Sequence, residues 1–115
     1  MAYTDLTPQV ITKDGIVPAF ASAAAAGNMW KNTGKEYIQV VNGSGGSINV
    51  TVTTPATVAG LAIEDKVVAV GAGVEKKLGP YEPGYFNQPV GATDVGKIYV
   101  DYSSVTTITV GVFRI

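Results

Sequence analysis

The feature that most constrains this 115-residue chain is an alternation of apolar and polar side chains in residues 36–54, EYIQVVNGSGGSINVTVTT. Such a period of two is typical of strands that have one buried face and one solvated face. The apolar phase consists of Ile38, Val40, Ile48, Val50 and Val52. The pattern therefore predicts two strands that each contribute one face to a core.

We expect these two strands to pair as a hairpin, because only a glycine-serine stretch centred on residues 43–46 separates them. A shift of one residue turns every side chain of a strand to the other face. Both apolar phases can therefore share a face only if the loop has an odd number of residues, three or five. The sequence predicts a central hairpin with an odd loop.

Further strand candidates are separated by turn residues at short spacing. They are residues 9–13, 16–20, 29–31, 66–70, 74–78, 97–103 and 107–115. We expect the first two to pair around Asp14-Gly15 and the last two to form a closing hairpin, whose Val100 and Val110 join the core. The prediction is one all-β domain over residues 1–115, an antiparallel β-sandwich or jelly-roll-like barrel of about eight or nine strands with little or no helix.

Two segments depart from this strand pattern. Residues 1–20 contain Pro8 and Pro18, which suit an extended N-terminal arm or an edge ribbon because proline cannot donate to a strand ladder. Residues 21–26, ASAAAA, have high helix propensity, but a stretch this short forms at most one or two helical turns. A plain connecting loop is the alternative for these alanines.

Composition excludes several kinds of chemistry. Cysteine and histidine are absent, so a disulfide scaffold, a thiolate zinc site, a cysteine nucleophile and an ordinary catalytic triad are excluded. The glycines at residues 43–46 lack the spacing and the following helix of a nucleotide loop. We therefore expect no enzymatic activity, no catalytic residue, no metal and no cofactor.

The charge pattern bears on partners. Eight basic and nine acidic residues are dispersed along the chain, which argues against nucleic acid and against a polybasic membrane patch. No leader-like start and no apolar run of ~20 residues is present, so we expect synthesis in the cytosol and no membrane association. The charged fraction of 15 % is below the roughly 25 % of an average domain. The chain either is a lean β domain or shares apolar surface with a partner.

Aromatic residues supply interface candidates. Trp30 either anchors a partner, as tryptophan often does, or lies at the rim of the core. Proline and glycine in residues 82–85 predict a type II turn that holds the neighbouring aromatics either as a contact surface or as a cap on the sandwich. With the N-terminal ribbon included, the candidate interface residues are Gln9, Ile11, Ile16, Phe20, Trp30, Tyr81, Tyr85 and Phe86.

Four segments together resemble the small capsid decoration, or cement, proteins of tailed bacteriophages. The segments are MAYTDLTPQVITKDGIVP, GNMWKNTGKEYIQVVNGSGGSINVTVTTP, KKLGPYEPGYFNQP and GKIYVDYSSVTTITVGVFRI. The resemblance implies a structural protein made in the host bacterial cytoplasm that binds the major capsid protein on the outside of the head and stabilises it, often as a homotrimer. It transfers no catalytic residue. The alternative function is a monomeric β-sandwich binding module, carbohydrate-binding or tail-associated, in which Trp30 and the aromatics of residues 81–86 form a stacking platform.

Overall fold

The computed structural model describes residues 3–115. Its strands are β1 (Thr4–Asp5), β2 (Gln9–Val10), β3 (Ala21–Ser22), β4 (Asn28–Lys31), β5 (Glu36–Asn42), β6 (Ile48–Val52), β7 (Thr57–Val58), β8 (Leu61–Ala62), β9 (Lys66–Val70), β10 (Glu75–Leu78), β11 (Lys97–Tyr102) and β12 (Ile108–Arg114). One turn of helix, α1, spans Pro83–Phe86. The all-β class is confirmed, and the strand number exceeds the expected eight or nine because several strands have only two residues.

Two five-stranded sheets pack face to face as a sandwich. The first sheet has the order β1-β4-β11-β6-β9, and the second has the order β10-β5-β12-β2, with β3 also paired to β12. Most pairs are antiparallel, but β1 runs parallel to β4 and β2 runs parallel to β12. The N-terminal strands form one edge of the sandwich, while β9 and β10 form the other.

The predicted core is confirmed. The side chains expected to share the interior are all buried, and they belong to one cluster between the sheets. They are Ile38, Val40, Ile48, Val50, Val52, Val100 and Val110. The alternation therefore identified the inward face of each strand correctly.

Val50 offers a direct measure of this packing, because it lies at the centre of β6 and is fully buried. Replacing it with alanine should lower the free energy of unfolding by about 1–3 kcal/mol, through lost transfer energy and a residual cavity. Urea unfolding followed by circular dichroism measures the difference. An unchanged midpoint would contradict the packing described here.

The predicted central hairpin is wrong. β5 pairs with β10 and β12 in the second sheet, whereas β6 pairs with β9 and β11 in the first. Residues 43–47 therefore carry the chain from one sheet to the other, and the two apolar phases face each other across the core instead of lying side by side. The loop has an odd number of residues, as predicted, but it joins strands of two different sheets and not two paired strands of a hairpin.

Asn42 explains the crossing. It continues the inward phase of β5 but is polar, and it is fully buried at the start of the loop. Its side-chain amide donates to the carbonyl oxygens of Gly46 (2.8 Å) and Val70 (3.0 Å). Its oxygen accepts from the backbone N–H of Ser44 (3.0 Å) and from the hydroxyl of the same residue (2.6 Å). These bonds tie the loop to β9 in the first sheet and satisfy a buried polar group.

The predicted closing hairpin is wrong for the same reason. β11 belongs to the first sheet and β12 to the second. Residues 103–107 form the crossing, which begins where the backbone N–H of Ser103 donates to the oxygen of Asn49 in β6 (2.9 Å). β12 occupies the middle of the second sheet, which confirms that the C-terminal segment is an integral strand.

The N-terminal ribbon differs from the expected hairpin. The turn at Asp14-Gly15 forms, with the N–H of Gly15 donating to the oxygen of Thr12 (3.0 Å). However, residues 16–20 form no strand. Instead, the side-chain amide of Gln9 donates to the oxygen of Ala19 (2.8 Å) and accepts from the N–H of the same residue (2.9 Å). These two bonds from the Gln9 side chain hold residues 16–20 in place of the strand pairing that the sequence predicted. Residues 1 and 2 of the predicted arm lie outside the described residues.

The alanine-rich stretch forms no helix. Ala21–Ser22 is β3, and a turn follows it in which the N–H of Gly27 donates to the oxygen of Ala24 (2.9 Å). Gly27 has a φ of +94°, and a Cβ there would lie 2.6 Å from the oxygen of Val100. The close approach of residue 27 to β11 therefore requires glycine at the end of this turn.

Candidate interaction surfaces

Trp30 is not at the surface. It lies in β4 with its side chain fully buried in the core, so the interface role considered for it is wrong in this fold. Its indole Nε1 has no hydrogen-bond partner among the described residues. Strand position explains the burial, because Trp30 lies opposite buried Ile98 on the inward phase.

The N-terminal candidates surround Phe113 on the outer face of the second sheet. Phe113 points away from the sandwich core, yet it is only 3 % exposed because neighbouring rings cover it. Phe20 meets it edge-on at a centroid distance of 5.9 Å, and Tyr37 lies against it at 5.7 Å. Residues 16–20 thus lie on the sheet. We call this region the Phe113 patch, formed by Ile11, Ile16, Pro18, Phe20, Tyr37 and Phe113.

A glycine allows this close covering. A Cβ on Gly111 would lie 2.8 Å from the oxygen of Ala19 and 3.1 Å from the ring of Phe113. Only a residue without a side chain lets residues 16–20 approach β12 so closely. The N-terminal ribbon is therefore packed against the domain.

The rim of the Phe113 patch is exposed and apolar. A shallow groove of about 210 Å³ runs between Ile11, Ile16, Pro18, Tyr37, Gln39 and Phe113. Val17 beside it is 92 % exposed. A neighbouring hollow of about 360 Å³ also touches Tyr37, and its other lining residues are Lys35, Pro80 and exposed Ile115. The candidates Ile11, Ile16 and Phe20 thus lie on one apolar surface, to which Gln9 contributes only its clamp on Ala19.

The aromatic candidates of residues 81–86 separate into two groups. The rings of Tyr81 and Phe86 lie 4.8 Å apart and pack against the core. Burial raises the pKa of Tyr81 to about 12. Tyr85 alone is exposed. Two of these residues therefore cap the sandwich, and one is available for contact.

The predicted type II turn is wrong. α1 forms there, with the N–H of Phe86 donating to the oxygen of Glu82 (3.1 Å) and the N–H of Asn87 to the oxygen of Pro83 (3.2 Å). A type II turn needs a positive φ at its third residue, and Gly84 is not among the residues with positive φ. Pro83 favours the start of a helix as much as a turn.

A second exposed surface is the hairpin β7–β8 between β6 and β9. We call this hairpin the arm, and it is distinct from the N-terminal ribbon. Val58 and Leu61 face each other across it and are 56 % and 72 % exposed. Ala59 and Gly60 form its tip with φ of 52° and 78°. The sequence pattern assigned no role to this segment, although its lack of charged side chains was a usable signal.

The base of the arm is fixed. Thr54 donates its N–H to the carboxylate of Asp65 (2.9 Å) and its hydroxyl to the oxygen of Ile63 (2.7 Å). Beside this clamp lies a groove of about 630 Å³. Its lining combines the apolar side chains of Ile63, Val67, Tyr85 and Phe86 with the polar or charged side chains of Thr54, Glu64, Asp65 and Lys66. The arm and the groove are parts of one surface, which we call the arm surface.

One carboxylate is buried. Glu36 lies at the start of β5, and burial alone would raise its pKa. Hydrogen bonds from the backbone N–H and hydroxyl of Thr33 and from the N–H of Lys35 outweigh burial, so the pKa is lowered. A carboxyl group held ionised in this way is a poor general acid at neutral pH.

Tyrosine and aspartate side chains meet on the outer face of the first sheet. Tyr3 stacks on Tyr99 at 3.9 Å and donates to the carboxylate of Asp101 (3.0 Å), while Tyr99 donates to Asp94. Burial, followed by the hydrogen bond to Asp101, raises the pKa of Tyr3 to about 12. These phenols stay protonated at neutral pH, and their visible role is to hold Tyr3 on the sheet.

Within residues 3–115, no group of three or more carboxylate, histidine or cysteine side chains could hold a metal ion. No helix in the same residues is long and apolar enough to cross a membrane. Comparisons of the chain with protein-family models, characterised proteins and solved structures gave no match.

Proposed function

We propose that this chain is a structural virion protein, a capsid decoration protein that binds the major capsid protein on the outside of a bacteriophage head and stabilises it. The proposal begins from the sequence resemblance. The observation that carries it further is that a small sandwich exposes two separate apolar surfaces, the Phe113 patch and the arm surface. Exposed apolar surface of this kind is typical of proteins that bind other proteins.

Two surfaces suit a protein that binds a repeating shell. One surface can contact the shell and the other a neighbouring copy, so that each bound subunit raises the effective concentration of the next. We assign the Phe113 patch to the shell, because Ile11 within it and Val17 beside it are exposed and no charged side chain lines its groove. The proposal requires contact between neighbouring copies and does not depend on the trimer that the resemblance implies.

The alternative, a monomeric binding module with an aromatic platform, has less support. Trp30 is buried, and Tyr81 and Phe86 pack against the core, which leaves Tyr85 as the exposed ring of that region. Sugar-binding platforms stack on exposed rings, and a single tyrosine offers little area for stacking. A protein that stays monomeric and binds polysaccharide would favour this alternative.

Co-sedimentation with capsids of the phage that encodes the chain tests the proposal. The wild-type protein should pellet with capsids at saturable occupancy. Val17→Asp together with Ile11→Asp places one charge on the Phe113 patch and one beside it, so their desolvation should reduce occupancy at least tenfold. The matched control is Val90→Asp, since Val90 is 95 % exposed and lies outside both surfaces.

Point substitutions are preferable to deleting residues 2–15, because that deletion removes β1 and β2 from the edges of both sheets. Circular dichroism melts of each variant establish that folding is unchanged. Failure of the wild-type protein to bind these capsids would refute the decoration proposal. Wild-type occupancy by the double variant would refute only the assignment of the Phe113 patch.

A further inference from the structure

The arm has a composition that is unusual for a solvated hairpin. Residues 55–63, PATVAGLAI, contain no charged side chain, and Val58 and Leu61 are among the most exposed large apolar residues of the described chain. A two-stranded hairpin is at best marginally stable alone in water. Ala59 also adopts the left-handed region, which is unfavourable for a residue with a Cβ. The arm thus has features that a covering partner would explain.

The strand that follows the arm has an open edge. In β6, the N–H of Thr53 donates to the oxygen of Tyr99 and the oxygen of Asn49 accepts from Ser103, so odd-numbered residues face β11. Even-numbered residues of β6 therefore bond to β9, because bonding directions alternate along an antiparallel strand. Their partners in β9 are Lys66, Val68 and Val70.

It follows that the main-chain groups of Val67 and Ala69 point to the open edge of the first sheet. Lys76 caps one of them by donating from Nζ to the oxygen of Ala69 (2.8 Å). The N–H and oxygen of Val67 have no partner among residues 3–115. An exposed strand edge of this kind is a template for pairing with another strand.

The neighbouring edge strand lacks this character. β10 has the sequence EKKL, with Glu75, Lys76 and Lys77 exposed. Charged side chains on an edge discourage strand pairing. The apolar edge of β9 is therefore the one suited to association.

We propose that two copies of this chain pair antiparallel along β9 about a two-fold axis, with the arm of each copy packed on the groove of the other. The arm, the groove and the open edge lie on one surface, and a two-fold interface requires one self-complementary surface on each subunit. With Val67 of each copy opposite Val67 of the other, its free N–H and oxygen pair reciprocally. The cap of Lys76 on Ala69 stays in place, because a carbonyl oxygen accepts two bonds.

Two other coverings are less consistent with this surface. The carboxylates of Glu64 and Asp65 outnumber the ammonium of Lys66 beside the arm, so an anionic membrane gains no attraction from this surface. The arm itself contains no tryptophan or tyrosine, the residues that favour membrane interfaces. Capsid binding through the arm is an outcome of the experiment below, and the pairing proposed here does not depend on capsid binding.

Solution mass tests the pairing on the purified full chain. Sedimentation equilibrium should give about twice the 11.9 kDa of one chain. Leu61→Asp should weaken the dimer at least tenfold, because it buries a charge under the partner. The control Val95→Asp, at a valine that is 51 % exposed outside the arm surface, should leave the mass unchanged. A wild-type monomer or trimer, or a dimer that Leu61→Asp does not weaken, would overturn the pairing.

A cysteine tests the register, since the chain has none of its own. Directly opposed residues in a hydrogen-bonded antiparallel pair have Cα atoms about 5.5 Å apart, which a disulfide can span. Val67→Cys should form a covalent dimer under mild oxidation at least tenfold faster than the control Val95→Cys. Equal rates would overturn the register centred on Val67.

These outcomes are separable from the decoration proposal. A dimer that does not bind capsids supports the pairing and refutes decoration. A wild-type monomer that binds capsids refutes the pairing and supports decoration. If Leu61→Asp then abolished capsid binding by that monomer, the arm would be the surface that contacts the shell. Flotation of the wild-type protein with anionic vesicles, if Leu61→Asp abolished it, would overturn the pairing in favour of a membrane.

Discussion

Replacing Trp30 with alanine is expected to lower the free energy of unfolding by about 3–5 kcal/mol. The indole is the largest side chain of the fully buried core, and it packs between the two sheets. Alanine would leave a cavity that the surrounding strands cannot fill, because their ladders fix them. Since small domains are stable by roughly 5–15 kcal/mol, the variant should be near the limit of folding. Guanidinium unfolding followed by circular dichroism measures the change.

Trp30→Phe is the informative control. Phenylalanine keeps most of the ring volume and removes the Nε1 donor, which has no partner among residues 3–115. An unsatisfied buried donor costs about 1–3 kcal/mol, so its removal should offset much of the lost volume. We expect a small net change. A loss as large as that of the alanine variant would mean that the indole N–H has a partner, such as an ordered water.

Most of the core was predictable from the sequence, because strand periodicity reports which face of each strand is buried. Periodicity does not report which other strand each strand pairs with. Ile38 and Val50 occupy the same phase whether their strands pair in one sheet or face each other across two sheets. Asn42-Gly43 did not separate the two connections, because an Asn-Gly pair is also typical of a tight hairpin turn. In the structure, the buried amide of Asn42 bonds to Val70 of the other sheet.

The candidate surfaces were partly predictable. Ile11, Ile16 and Phe20 were identified from the weak core pattern of the N-terminal ribbon, and they do lie together. Trp30 was left between a partner anchor and the rim of the core, because residue type alone cannot separate an interface tryptophan from a core tryptophan, and the structure places it in the core. The arm was missed because Val58 and Leu61 lie in strands of two residues, too short for a period to be visible.

Replacing Glu36 with glutamine is expected to lower the free energy of unfolding at neutral pH by about 1.5–3 kcal/mol, the range for hydrogen bonds to charged groups. One carboxylate oxygen accepts from the N–H of Thr33 (2.7 Å) and from the N–H of Lys35 (3.3 Å). The other lies 3.5 Å from Nε of Arg114, its cross-strand neighbour. Glutamine replaces one of these oxygens with an amide nitrogen, so either an N–H loses its acceptor or the ion pair with Arg114 is lost.

The effect should depend on pH in a defined direction. The pKa of Glu36 is lowered in the folded protein from the ordinary value of 4.5, so as pH falls the unfolded chain takes up the proton first. The stabilisation by the carboxylate is therefore fully present above pH 4.5 and is lost as pH falls through the folded pKa. The wild-type protein should lose this advantage over Glu36→Gln in that acidic window.

Unfolding free energies of the two proteins, measured between neutral and acidic pH, test this dependence. Glu75→Gln is the matched control, because Glu75 is exposed on β10 and its replacement should change stability by no more than about 0.5 kcal/mol. If the difference between wild type and Glu36→Gln stayed constant as pH fell, the charge of Glu36 would not be the stabilising feature. The contribution of Glu36 to the free energy of unfolding would then be independent of its charge, and the ion pair with Arg114 would contribute nothing.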